Sequence, residues 1–469
     1  ILQTRNLKSY SQPYKVVPLL KEEINDMGRY NISLKQIIFV IILSVFQFLC
    51  FFSENDILTF FDEAVTIVLF CYALFLILKN GTIYGIQLKT LLLLLLLCLV
   101  GIIGNCISKV DRSVIIILYD MFSCIKLFLA FIGALYIKVD EKDWNVIIRI
   151  VAKIVQITVI IAFIFLLLNQ FADFGMRDDY RYGVTTFKFI FLNAGTLSTV
   201  CYGYILALTL VIPNLNNVRE KRFNSLCIVL TTIVWASTMR SRAFVFIALY
   251  CFAYLYYFKL TNNRKKKKKN RIRVWQILVG TIGAIAVASS SLEYYFTNTA
   301  TARYQLLHAS ITLLKRYFPF GAGFATFGTN IAKQYYSPLY SEFGFNSIYG
   351  LSESMRDFLT DNCWPAIMGE FGVLGSVIFV LLIIILIKYL YSNLRNNKYY
   401  FLAVLFYSVV FLGSSIATQT LFHYSTIGYI LLLTIAANKE KERQRALEND
   451  SLQRTKHKVF GLGIRDYGH

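Results

Sequence analysis

Apolar residues come in runs of about twenty, at 35–53, 60–78, 88–107, 114–137, 144–168, 187–212, 224–239, 243–259, 274–291, 364–387, 400–417 and 420–437. A helix needs about 20 apolar residues to cross the hydrocarbon of a bilayer, so each run reads as one span. The seventh and eighth are short and divided only around Met239 to Arg242. The pattern predicts an all-α polytopic membrane protein with about 12 transmembrane helices. Its parts are an N-terminal segment (1–34), spans 1 to 9 (35–291), one large polar loop (292–363), spans 10 to 12 (364–437) and a charged, mobile tail (438–469).

Composition agrees, because 57% hydrophobic and 16% charged residues leave no water-soluble core of this size to build. The formal charge of +21 suggests nucleic acid only until the charges are placed. Counted loop by loop, with lysines at the very ends of runs taken with the adjoining loop, 33 Lys and Arg fall on the side holding both termini, 12 on the other, and Lys126, Arg149 and Lys153 lie deeper within spans. The positive-inside rule then puts both termini in the cytoplasm and the loop 292–363 outside. The block Arg264 to Lys269 falls on the cytoplasmic side, as a topology anchor with contact to anionic lipid. Nucleic acid is not an expected partner.

Nine cysteines lie mostly in or beside apolar runs with no CxxC spacing, and the four histidines form no cluster, so neither a disulfide framework nor a protein-held metal is expected. No short cleavable signal is evident, and the first span would direct insertion. No internal repeat or second folded domain is visible.

The chemistry is therefore sought in the outward-facing connectors. Arg240 and Arg242 sit in a connector too short to leave the membrane surface, where a cation needs an anionic partner. A guanidinium fork suits diphosphate oxygens, while headgroup phosphates or Asp178 and Asp179 are the plainer partners. Arg177 and Arg181 lie in the outward connector 169–186. In the large loop, Asn298 or Thr299 is placed to cap a helix running to about Phe318, which Pro319 ends. That helix carries Arg303 on one face, and Lys315 and Arg316 at a far end where cations are favoured anyway.

Gly321, Gly323 and Gly328 permit turns but are not a phosphate loop, because no GK[ST] follows. Tyr335, Tyr336, Tyr340 and Tyr349 suit sugar rings and equally suit a membrane-interface belt. Asp361, just before span 10, is either a proton acceptor or a helix cap. Lys126 is taken as the one charge near mid-bilayer, explained by pairing or snorkelling.

Taken in order, Thr238-Met239-Arg240-Ser241-Arg242, Arg303, the run Tyr317 to Gly328, Tyr336 to Tyr340 and the stretch from Asp361-Asn362 through Glu370-Phe371-Gly372 resemble the Wzy-type O-antigen and capsular polysaccharide repeat-unit polymerases. These belong to the superfamily that also holds the O-antigen ligases. The ligase branch carries a His-Asn pair where this chain has Asp361-Asn362; the missing histidine argues against a ligase.

The resemblance implies a glycosyltransferase at the outer face of a bacterial cytoplasmic membrane. It would join undecaprenyl-diphosphate-linked oligosaccharide repeats, with these lipids as donor and acceptor, by inverting displacement and without metal or other cofactor. Arg240, Arg242, Arg303 and Asp361 are the expected catalytic residues. Arg177, Arg181, Lys315, Arg316, Tyr336, Tyr340 and Asn362 are the expected substrate contacts. The bilayer, a flippase and a chain-length regulator of the same pathway are the expected partners. The rival readings are an O-antigen ligase and a lipid-linked oligosaccharide flippase or other transporter; the latter would show charges inside its spans.

Overall fold

The computed structural model describes residues 34–48, 60–83, 85–255, 297–299 and 301–463. The chain is mostly helical. In order come α1 (Leu34–Phe48), α2 (Phe61–Asn80), α3 (Gly85–Ser108), α4 (Val114–Ala134), α5 (Glu141–Leu168), the hairpin β1 (Arg177–Arg181) and β2 (Val184–Phe187), then α6 (Ala194–Val211), α7 (Val218–Ala236) and α8 (Ser241–Leu255). After the break in description follow α9 (Ala302–Arg316), the short α10 (Asn330–Gln334) and α11 (Pro338–Glu342), and then α12 (Cys363–Leu394), α13 (Lys398–Ser415) and α14 (Tyr424–Gly463).

Seven of the described helices are long and apolar enough to cross a membrane: α2 to α5, α6 with the turn that extends it, α12 and α13. Their outward faces carry large apolar side chains such as Val68, Leu78, Leu95, Ile157 and Val377, as lipid contact requires and water would not tolerate in such number. Every expected span on described residues meets a helix; the ninth, 274–291, and the basic block Arg264 to Lys269 lie outside them.

Three boundaries differ from expectation for local reasons. The sixth run begins at residue 187, but α6 starts at Ala194, where the Asn193 side chain accepts from the Thr196 N–H at 2.9 Å. The apolar residues before it, Phe187, Phe189 and Phe191, form an aromatic cluster beside the hairpin. Helix α9 is capped by Thr301, whose hydroxyl accepts from Tyr304 N–H at 3.4 Å, and it ends at Arg316. The charged segment after Asn438, expected as a mobile tail, continues α14. It is tied at its start, where the Asn438 amide donates to the carbonyls of Ala134 and Ile137 at the end of α4.

Helix α12 is broken at Gly372, which has φ 60° and ψ −155°. A side chain there would put Cβ 2.4 Å from the Pro319 carbonyl oxygen, so only glycine lets the chain at 319–321 lie on the helix. The break frees two helix carbonyls, and both are used: Ala322 N–H donates to Gly369 O and Gly323 N–H to Glu370 O, each at 2.8 Å. The segment from Pro319 to Thr329 is thereby packed into the bundle itself.

Candidate functional site

Three helices clamp that segment. From α3, Asn105 holds Phe324 at both backbone groups, accepting from its N–H at 2.9 Å and donating to its carbonyl at 3.0 Å, while the Ser108 hydroxyl donates to Ala322 O at 2.6 Å. Gly323 has φ +88°, and a Cβ on it would fall 2.2 Å from the Asn105 nitrogen. The glycines therefore serve close approach of the loop to a helix; nothing in their contacts requires a phosphate.

From α12, Glu370 Oε1 accepts three hydrogen bonds, from the N–H groups of Thr326 (2.9 Å) and Phe327 (3.0 Å) and from the Thr329 hydroxyl (3.1 Å). From α4, Asp120 Oδ2 accepts from Ala325 N–H at 2.7 Å. Both carboxyl groups are fully buried, and the other oxygens, Asp120 Oδ1 and Glu370 Oε2, receive no hydrogen from a donor among the described residues. With Cys124 these two form a group whose ligand atoms lie within 4.8 Å of one another, a spacing that would suit a metal ion. The thiol instead points a weak hydrogen bond at Asp120 Oδ2 at 3.9 Å, and both carboxyls are engaged by loop donors, so the arrangement works as an anchor.

The expected catalytic residues gather beside this anchored segment. Arg303, on the first turn of α9, points its Nη2 at Asp361 Oδ2 (3.3 Å) and at the Ala417 carbonyl (3.4 Å). Arg242, on the first turn of α8, points Nη1 at the Thr418 hydroxyl and Nη2 at the Gly195 carbonyl, both at 3.4 Å. One turn after α13, residues 417 and 418, thus contacts both arginines. Its neighbour Gln419 donates to the Gly328 carbonyl, joining that turn to the glycine-rich segment. Arg240 lies 3.7 Å from both Asp178 and Asp179 on the hairpin, the plainer partners that the sequence offered.

Asp361 is not a cap. That task belongs to Asn362, whose side chain accepts from Trp364 N–H at 3.2 Å at the start of α12. Burial pushes the Asp361 carboxyl above the usual 3.8, outweighing the opposing pull of Arg303 and Arg242. The side chain is still 33% exposed, so it can meet a ligand.

The other expected contacts are dispersed. Arg177 donates to the Asn169 carbonyl at 2.7 Å, and Arg181 pairs with Asp179 at 2.6 Å on the exposed hairpin. Arg316 is paired with Glu342 at 2.5 Å, and Lys315 is exposed beside it. The Tyr336 hydroxyl donates to Asn346 and Leu351 O while its ring lies under Arg356, so one edge is left half-buried. Tyr340 is fully buried against Phe345 and Phe327, and its hydroxyl accepts from Gly328 N–H at 2.7 Å, which leaves no face for a sugar.

Lys126 is not the one charge inside the bundle. It is buried and paired with Asp62 (2.5 Å) and Glu63 (2.6 Å) at the start of α2, one turn and a half beyond Asp120 on the same helix. Asp120 is absent from the residues singled out in the sequence, and Glu370 enters there only within the resembling motif, although each interrupts an apolar run; a carboxyl in such a run is costly unless partnered, and that cost is the available signal. No protein-family model and no curated protein matches the chain.

Proposed function

We propose that the chain is a membrane glycosyltransferase that joins undecaprenyl-diphosphate-linked oligosaccharide repeats into a bacterial O-antigen or capsular polysaccharide, at the outer face of the cytoplasmic membrane. The observation that carries the reading is the convergence of Arg242 and Arg303 on the single turn 417–418, with Asp361 3.3 Å from Arg303 and Arg240 on the same short connector as Arg242. These residues come from three separate parts of the chain, and nothing in bundle packing requires two arginines near the Asp361 carboxylate.

In this reading an acceptor hydroxyl attacks the anomeric carbon of the donor as its bond to the diphosphate oxygen breaks, with the electron pair leaving on the lipid diphosphate. Arg242 and Arg303 are placed to hold the charge that develops there, which fixed guanidinium groups can do in a site of low dielectric. Asp361, made more basic by burial, takes the hydroxyl proton. Arg240 is held by Asp178 and Asp179 on the hairpin, on the same connector as Arg242.

A second reading has one observation in its favour. Charges buried on α2, α4 and α12 (Asp62, Asp120, Lys126 and Glu370, with Glu63 half-buried beside Lys126) are what a transporter coupled to ion movement would carry. The lipid-linked glycans of a deletion strain separate the two. Single repeats accumulating on the outer leaflet support the polymerase; repeats trapped on the inner leaflet refute it in favour of a flippase, and full-length polymer left on lipid refutes it in favour of a ligase.

A further inference from the structure

At the far end of the bundle from these arginines, a cavity of about 300 Å³ opens between the start of α3 and the end of α12. Lys89 and Lys388 both line it, on helices remote in sequence that run antiparallel past each other. Its walls are the apolar side chains Ile86, Ile385 and Tyr389, its remaining lining is the polar pair Ser392 and Asn393, and among the described residues no carboxylate contributes to it. The cavity surface is almost wholly apolar and both lysines are exposed, so their stems line it and their ammonium groups lie toward solvent at its rim, where two like charges favour an anion between them.

Three further features define that anion. The cavity lies at the first turn of the 24-residue α3, where backbone N–H groups lack intrahelical acceptors and the helix dipole is positive. Around it, Leu88, Leu92, Leu381 and Ile384 are exposed, so the surface leading away from the lysines along both helices is apolar. The volume sits at the small end of ligand pockets, roughly 300 to 1,000 Å³, and so suits a headgroup with its tails left outside. Finally, both lysines belong to the side where Lys and Arg are concentrated, the side that meets anionic lipid.

We infer that this cavity binds the phosphate headgroup of an anionic phospholipid, with Lys89 and Lys388 on the headgroup and the acyl chains lying along α3 and α12. The inference is independent of the chemistry at the opposite end, since it holds equally for a polymerase or a transporter.

The test uses the full chain purified in detergent and stripped of lipid, titrated with phosphatidylglycerol, with phosphatidylcholine of the same acyl chains, and with inorganic phosphate. Bound lipid is counted by native mass spectrometry and the thermal midpoint is followed in parallel. Phosphatidylglycerol is expected to bind and raise the midpoint. The Lys89→Gln/Lys388→Gln pair should bind it about 30-fold more weakly, each lysine near an anionic headgroup being good for about a factor of five. Lys138→Gln/Lys142→Gln, which removes the same charge from exposed positions elsewhere on that side, should leave binding unchanged. Both target lysines are exposed, so the substitutions leave the packed interior intact, and Lys89→Arg/Lys388→Arg should keep the affinity. Equal binding of phosphatidylcholine, an equal loss in the control pair, or inorganic phosphate alone giving the full shift would each overturn the assignment.

Discussion

Glu370→Ala and Glu370→Gln test the anchoring of the glycine-rich segment, because they differ in what they leave behind. The alanine variant removes the acceptor of three donors, of which two are the fully buried backbone N–H groups of Thr326 and Phe327. A buried donor left unmade costs about 1–3 kcal/mol, so the two amides alone predict a loss of roughly 4 kcal/mol, a large share of the stability of an ordinary protein domain. The glutamine variant keeps a carbonyl oxygen for the same donors, and its new NH2 can donate to Asp120 Oδ1, which receives no hydrogen among the described residues. Its expected cost is below about 1 kcal/mol. The assay is the thermal midpoint and the correctly inserted yield of the two variants in the same detergent, with the alanine variant lower by many degrees and the glutamine variant close to the parent. Equal midpoints for the two variants, in either direction, would refute the claim that three hydrogen bonds to Oε1 hold the segment.

Four further outcomes are expected. Gly323→Ala forces a Cβ to 2.2 Å from the backbone of Asn105 at a φ of +88°, so it should lower the inserted yield more than Gly344→Ala, whose Cβ meets nothing within 4 Å at a comparable φ of +72°; equal yields would show that the loop is not clamped on α3. Arg242→Lys and Arg303→Lys keep the charge and lose the fork, so in-membrane polymerisation should fall at least about 100-fold at unchanged protein level, and normal polymer from both would rule out bidentate recognition. Asp361→Asn should abolish polymer without loss of protein. In the parent, kcat/KM should fall with decreasing pH along a limb lying above the ordinary carboxylate value of 3.8, since burial raises Asp361 and only its ionised form accepts a proton; a flat profile through that region means that another group acts. In a cysteine-free background, single cysteines at the exposed positions Asn330 and Ser347 should react with an impermeant reagent applied from outside and one at Lys267 should not, and the reverse pattern would invert the bundle.

The helices were legible in the sequence because the bilayer imposes their length: a run of about twenty apolar residues has few other uses. Where an apolar run served something else, that logic failed. Phe187, Phe189 and Phe191 extend the sixth run yet pack as an aromatic cluster ahead of α6, since Asn193 supplies the cap that fixes the start. The fate of the charged stretch after Asn438 turned on a contact with the end of α4, which no local pattern records. The arginines stood out because they defy the charge bias, and the structure brings Arg242, Arg303 and Asp361 together. Tyr340 stood out for the wrong reason: its hydroxyl and ring are absorbed by Gly328 and Phe345, and composition cannot distinguish a tyrosine that faces a sugar from one that fills a core.

The anchor and the arginine cluster bear on each other through Gln419. The turn carrying Ala417 and Thr418 fixes Arg303 and Arg242, and Gln419 ties that same turn to the carbonyl of Gly328. Gly328 in turn belongs to the segment whose amides are held by Asp120 and Glu370. Groups that stabilise charge in a transition state help only if they are already in place when the charge appears, because reorienting them then would consume the gain. Under the proposed function the buried carboxyl pair therefore has a use that its burial alone does not explain. It fixes the segment against which the arginine-bearing turn rests, and so sets the distance between two guanidinium groups that come from helices with no direct hydrogen bond between their side chains among the described residues. At Asp361 burial outweighs the attraction of Arg303 and Arg242 and raises the carboxyl above its usual value, which in the proposed reaction makes it a stronger base.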